Sequence, residues 1–240
     1  MPLLRAAALT DIGRVRRYNE DRYMCDESVL LFGIADGVGG LPGGSEAAQL
    51  TVDQIATAIH GAVDNPELDL VAIVHQTNEA VSLLGHQISP GMGIGTTLTF
   101  GCIRGNLLNL AHVGDSRAYG LRSGDCSRIT EDHSVENEAR LRRAKGEVIY
   151  YHEANRNALT RCIGQPTPPE VDLIAIQLAP GDRYLFCTDG VTRMVTDGEL
   201  ATLMSRFDEP AELLKEVIGL AVRRGGPDNA TGVAVYIDQI

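Results

Sequence analysis

Five aspartates stand where the chain changes direction, and three of them follow apolar runs. Asp36 closes the run 30–35 and precedes Gly37, Asp115 follows 107–113 through Gly114, and Asp189 follows 183–187 and precedes Gly190. Asp21 ends Tyr18-Asn19-Glu20-Asp21, and Asp228 lies in Gly226-Pro227-Asp228-Asn229. A strand that ends in Asp holds the carboxylate at a fixed sheet edge. A following glycine lets the backbone turn and its carbonyl approach an ion. Any single Asp-Gly reads as an ordinary turn. Several such ends converging make a carboxylate cluster, which at neutral pH requires hard cations to neutralise it. Oxygen-only donors favour Mg²⁺ or Mn²⁺ over zinc, which prefers His nitrogen and Cys sulfur.

The elements that must position these groups are short strands and longer helices. Residues 30–35, 183–187 and 231–237 read as strands, and 96–103 with 107–113 as a hairpin turning at Arg104-Gly105-Asn106. Helical periodicity covers 45–63, opening on a Ser45 cap, with Leu50, Val52, Ile55 and Ile59 on one face. It also covers 68–88, with Val71, Val74, Val81, Leu84 and Ile88, and then 197–207 and 210–223. Strands in groups and helices in consecutive pairs predict a layered α+β fold rather than a doubly wound parallel sheet. The segment 136–156 is the most polar and least patterned, which makes it a candidate surface flap.

At 240 residues the chain can bury a core without disulfides or a structural metal, and one domain spanning 1–240 is expected. The net charge of −11 repels phosphate backbones and anionic lipid, so neither nucleic acid nor a membrane is an expected partner. Phosphate handling would have to be local, through metal ions or a few placed arginines. Cys25, Cys102, Cys126, Cys162 and Cys187 are scattered and odd in number, as free thiols of a reducing cytoplasm would be. The N-terminus lacks a signal-peptide h-region, and no apolar run approaches the length of a membrane span. A cytoplasmic protein is expected.

Arg16-x-x-Asn19-Glu20-Asp21, Asp36-Gly37-x-Gly39-Gly40, Gly95-Thr96-Thr97, Val113-Gly114-Asp115-Ser116-Arg117, Thr188-Asp189-Gly190 and Asp228-Asn229 occur in a definite order. In these motifs the chain resembles the type 2C (PPM) metal-dependent serine/threonine protein phosphatases over nearly its whole length, with the size of the minimal bacterial forms. The resemblance implies a four-layer α-β-β-α sandwich: two antiparallel sheets flanked by helix pairs, with metals in a cleft at one end. By position, Asp36 would bridge two ions and the Gly37 carbonyl would bind one of them. Asp189 and Asp228 would complete the first ion's shell, with Asp21 and Glu20 near the second, partly through water. Asp115, helped by Asp189, would hold a third and weaker ion.

Two ions sharing a water lower its pKa and aim it at phosphorus. A hydroxide bridging them would then attack in line, so no phospho-enzyme forms. Arg16 would grip phosphate oxygens through its planar fork. Together with Asp36 and Asp189 it makes the expected catalytic set. Substrates would be phosphoproteins, with a cognate Ser/Thr kinase and its targets as natural partners, and a monomer is expected.

Many eukaryotic members carry Asp-Gly-His-Gly-Gly, where the His is a proposed general acid; this chain has Val38 there. The proton donor is therefore open. His133, in Asp132-His133-Ser134, is either a flap-side acid or a loop cap, and His112 reads as a core residue inside a strand. The glycine-rich stretch 37–44 lacks the Gly-Lys-Ser/Thr of a nucleotide loop, and Gly91-x-Gly93-x-Gly95 misses the dinucleotide fingerprint. Arg140, Arg142, Arg143 and Lys145 read as a solvated helix face or a phosphopeptide-attracting patch. Two other functions fit the residues less well: an inactive phosphoprotein-binding relative, and a small-molecule phosphohydrolase.

Overall fold

Apolar alternation on both faces of the central strands dictates a layered architecture. The computed structural model describes residues 2–40, 42–63, 65 and 68–240. In β3 (Leu31–Asp36), Phe32 and Ile34 point to one core while Leu31 and Ala35 point to another. In β10 (Ala230–Gln239), Val233, Val235 and Ile237 share the first of these cores, and Ala234 and Tyr236 face a third. Strands apolar on both faces must be covered on both faces. The chain does this by packing two sheets on each other and laying helices outside each.

The first sheet has the order β2-β3-β4-β5-β8, from β2 (Asp21–Asp26), β3, β4 (Leu98–Arg104), β5 (Leu107–Val113) and β8 (Asp172–Gln177). The second has the order β1-β10-β9-β6-β7, from β1 (Leu3–Asp11), β10, β9 (Arg183–Cys187), β6 (Arg117–Arg122) and β7 (Asp125–Arg128). Every pairing is antiparallel. Helices α1 (Gly44–Gly61) and α2 (Leu70–Ile88) cover the first sheet through Ala48, Val52, Ile55, Val74 and Val81. Two short helices follow, α3 (Val135–Ala144) and α4 (Asp189–Thr192). Then α5 (Asp197–Arg206) and α6 (Pro210–Arg223) cover the second sheet through Leu200, Met204, Leu214, Val217 and Ile218. The expected four-layer α-β-β-α sandwich is the observed one.

Local chemistry explains the helix boundaries. Thr196 and Glu199 form a reciprocal capping box at the start of α5, and Pro210 opens α6 where a missing N–H costs nothing. The expected Ser45 cap is not used: Gly43, at φ 83°, precedes α1, and the Ser45 hydroxyl inside the first turn accepts from Arg22 at 2.7 Å. Ile88, expected on the buried stripe of α2, is the last residue of that helix and is 39% exposed. The segment 136–156 is less irregular than its polarity suggests, since α3 fills its first half. Charged on nearly every turn, α3 buries only Asn137 and Ala139 and so lacks an apolar stripe to announce it. Among the described residues, no helix is long and apolar enough to cross a membrane. All five cysteines are free.

Candidate active site

The C-terminal ends of β3 and β5, the turn after β9 and the loop before β10 meet at one cleft of about 440 Å³. Arg16, Glu20, Asp36 and Gly37 line it from one part of the chain, and Asp115, Asp189 and Asp228 from another. Leu41, within the glycine-rich stretch 37–44, lies outside the described residues. Asp21 is the exception among the expected site residues. It pairs with Asp36 across β2 and β3, is 3% exposed, and sits behind Asp36 rather than on the cleft wall.

The short motifs are explained by what their polar side chains hold. Asn229, 4% exposed, accepts from the Glu20 N–H at 2.9 Å and donates to the carbonyls of Ile12 and Tyr18. It thereby pins the loop that carries Arg16 and Glu20 against Asp228. Asn19 accepts from the Asp21 N–H at 3.0 Å and fixes the entry to β2. Thr97 accepts from the Asp36 N–H at 3.0 Å and shares a 2.8 Å bond with Ser116, the residue after Asp115. Gly190 must lack a side chain, because a Cβ there would run into the Asn229 carbonyl. Gly114 needs its φ of 118°, and a Cβ on it would strike Thr97.

The electrostatics are those of an acid cluster short of positive charge. Burial, then the charges of Asp21, Asp189, Asp115 and Asp228, push the Asp36 carboxyl well above the usual range. Burial and the nearby Asp189 push Asp21 up to about 7, against the Thr231 and Thr188 hydroxyls, and burial and Asp189 do the same to Asp115, also to about 7. Asp189 and Glu20 are raised as well, chiefly by burial. One Asp21 oxygen accepts from the Thr188 hydroxyl at 2.9 Å, while the other, Oδ1, is buried without any hydrogen-bond partner. Such an orphaned carboxylate oxygen is expensive unless a cation or proton answers it.

Two guanidinium groups supply part of the missing charge. Arg16 donates to Asp228 Oδ2 at 2.7 Å. Arg193 pairs with Asp189 Oδ2 and reaches Asp228 Oδ2 at 3.5 Å. Among the described residues no three His, Cys, Asp or Glu side chains form a ready metal site. The donor set nonetheless fits Mn²⁺ or Mg²⁺: oxygen alone, most of it desolvated, with more acid than the two arginines neutralise. Arg193 belongs to none of the motifs; its spacing of four residues from Asp189 was its sole signal.

Val38 lines the cleft and offers no proton, and Asn157, Ala158 and Leu159, just past the candidate flap 136–156, line it as well. His133 does not line the cleft. It is 6% exposed, its Nδ1 accepts from the Gly114 N–H at 3.0 Å, and its Nε2 faces Asp172 at 3.2 Å. It braces the turn that presents Asp115, and burial lowers its pKa. His112 is fully buried between Thr99 and the Glu131 carbonyl, with its pKa pushed down to about 4. The basic cluster is a solvated helix face: Arg140 pairs with Glu131 and Arg142 with Glu147, while Arg143 donates to the Ile149 carbonyl.

The family model described as protein phosphatase 2C matches residues 14–230. The serine/threonine protein phosphatase PstP of Mycobacterium tuberculosis is 35% identical over 98% of this chain, which spans 45%, about half, of that relative's length. The serine/threonine phosphatase Stp of Listeria monocytogenes is 30% identical, covering 95% of this chain and 94% of its own. The crystal structure of the PstP catalytic domain in complex with two manganese ions superposes with a TM-score of 0.81 at 33% identity, covering 98% of this chain and 99% of that one.

Proposed function

Because this chain belongs to the protein phosphatase 2C family, we propose that it is a Mn²⁺- or Mg²⁺-dependent hydrolase of phosphoserine and phosphothreonine on proteins. The observation that carries this reading is the desolvated, all-oxygen acid cluster in the cleft that also contains Arg16, backed by the orphaned Asp21 oxygen behind Asp36. Divalent ions held by Asp36, Asp189, Asp228 and the Gly37 carbonyl would supply an activated water and stabilise charge developing on the phosphoryl group. Glu20 and Asp21 would help to hold a second ion, and Asp115 would suit a third, weaker one.

The chain's own residues do the rest. Arg16, released from Asp228, presents a planar fork to two phosphate oxygens and orients the ester. Thr97 and Ser116 hold Asp36 and Asp115 at fixed positions from behind. The cleft offers no cysteine nucleophile: Cys162 lines it, but burial raises its thiol, which disfavours the thiolate a phospho-enzyme route would need. Val38 cannot protonate the leaving alcohol, so that proton comes from a group other than the one at this position.

Partners of this activity would be phosphoproteins, including a Ser/Thr kinase and its targets, in cytoplasmic signalling. The chain would act as a monomer and as one catalytic domain, with residues 136–156 as a flap over substrate. Phosphate release from a phosphothreonine peptide is expected with Mn²⁺ and is expected to stop with chelator. Mn²⁺ binding without turnover of any phosphopeptide would instead identify an inactive binding relative. Faster turnover of nucleoside monophosphates would identify a small-molecule phosphohydrolase.

A further inference from the structure

Arg193 sits one turn after Asp189, with its N–H donating to the Asp189 carbonyl at 2.8 Å. Its side chain folds back over that turn and divides its guanidinium between Asp189 Oδ2 and Asp228 Oδ2. Arg16 reaches the same Asp228 oxygen from the opposite end of the chain. The two carboxylates are poorly hydrated, with side chains 14% and 16% exposed, so their charge has to be compensated from within the protein. Arg193 itself is 40% exposed, which leaves its head group room to swing into water. Arg16 has a second use on a phosphate. Among the described residues the side-chain partners of Arg193 are these two acids, and its charge also bears on the nearby Asp115.

From this geometry we infer that Arg193 is a built-in competitor of the divalent ion at the Asp189–Asp228 pair. An ion that takes those oxygens must displace the guanidinium and then tolerate its positive charge nearby. Both effects weaken ion binding, so Arg193 sets the metal concentration at which the pair fills. The fork matters as well as the charge, because it spans two carboxylates, one opening α4 and one in the loop before β10, where an ammonium would serve one. Arg193 is thus a positioning residue that acts on the metal through the ligands. The inference rests on the metal-dependent reading of the cleft.

Calorimetric titration of Mn²⁺ into the chelator-stripped protein tests it, alongside the melting temperature of each protein without metal. Arg193→Gln is expected to bind Mn²⁺ about three- to tenfold more tightly, an effect of the size a partly exposed ion pair can exert. The same variant is expected to melt lower than wild type without metal and to gain more on adding Mn²⁺. Arg193→Lys, which keeps the charge and loses the fork, is expected to fall between the two and provides a second reading should the Gln variant fold poorly. A residue that merely braced Asp189 would give the opposite sign. Equal or weaker Mn²⁺ binding by folded Arg193→Gln therefore overturns the proposal while leaving the metal reading intact. Absence of Mn²⁺ binding in wild type and both variants overturns the two together.

Discussion

Strand β9 runs between two aspartate settings of opposite kind. Asp182, just before it, is 2% exposed and fully answered. Arg122 donates to both its oxygens at 2.7 and 2.6 Å, the Ala179 N–H at 2.8 Å and the Tyr184 hydroxyl at 2.9 Å. Burial alone would raise that carboxyl, but these partners outweigh it and hold the pKa below the usual range. Just past the other end of β9, Asp189 joins Asp21, Asp36 and Asp115, all raised by burial and most of them by one another. Burial pushes the carboxyls of both settings upward, and the donors supplied to each acid decide the outcome. An acid supplied with donors by the protein is a corner of the fold; an acid left short of them waits for a ligand.

The largest expected break in this contrast is Asp36→Asn. On the proposed reading, losing the carboxylate expected to join the metal ligands should lower phosphate release about a thousandfold or more, since several kcal/mol of metal-borne stabilisation is at stake. The same change should raise the melting temperature of the chelator-stripped protein, because it removes a repelling buried charge. A loss of stability there would mean that the cluster is structurally satisfied after all.

Next in size is the pH dependence of stability without metal. Asp21 and Asp115 have folded pKa values of about 7, above the ordinary carboxylate value near ~4. Between these limits the folded state binds more protons than the unfolded state, so stability falls as pH rises from about 4 to about 7. The drop should be on the order of a few kcal/mol in denaturant melts, and saturating Mn²⁺ should flatten it. The lowered pKa of Asp182 works in the opposite direction: its contribution is present above the ordinary value and is lost as pH falls through the folded one.

Asp182→Asn sharpens the contrast from the structural end. It should cost about 2 kcal/mol, because Arg122 is half exposed and can regain water, while turnover per folded molecule stays at the wild-type level. The smallest expected effect is that of Arg16→Ala. Loss of a charge-assisted phosphate contact should raise KM about tenfold or somewhat more with little change in kcat. A change confined to kcat would assign Arg16 to the transition state instead.

Much of the fold was readable because its signals are local. The hairpin β4–β5, the helices α5 and α6 and the closing strand each carry their own periodicity or cap, and they lie within a few residues of expectation. The edge strands β7 and β8 and the polar helix α3 were not readable. Half-exposed and short or charged, they are held by neighbours rather than by a pattern of their own. At the site, the acids were legible from strand ends and motif order. Asp21's place behind Asp36, His133's work as a brace and Arg193's grip on the ligands were not.

The chain's composition and motif order suffice for its family, its oxygen-donor chemistry and the identity of most cleft residues, because strand-end acids and the glycines beside them are properties of adjacent positions. Folding alone decides how those acids are charged and partnered. Asp21 meets the Thr188 hydroxyl across 167 positions and Arg16 meets Asp228 across 212. Burial and like charge act through space, so which carboxylate is sealed, which is orphaned and which is already held by an arginine emerges only when the two sheets close on each other.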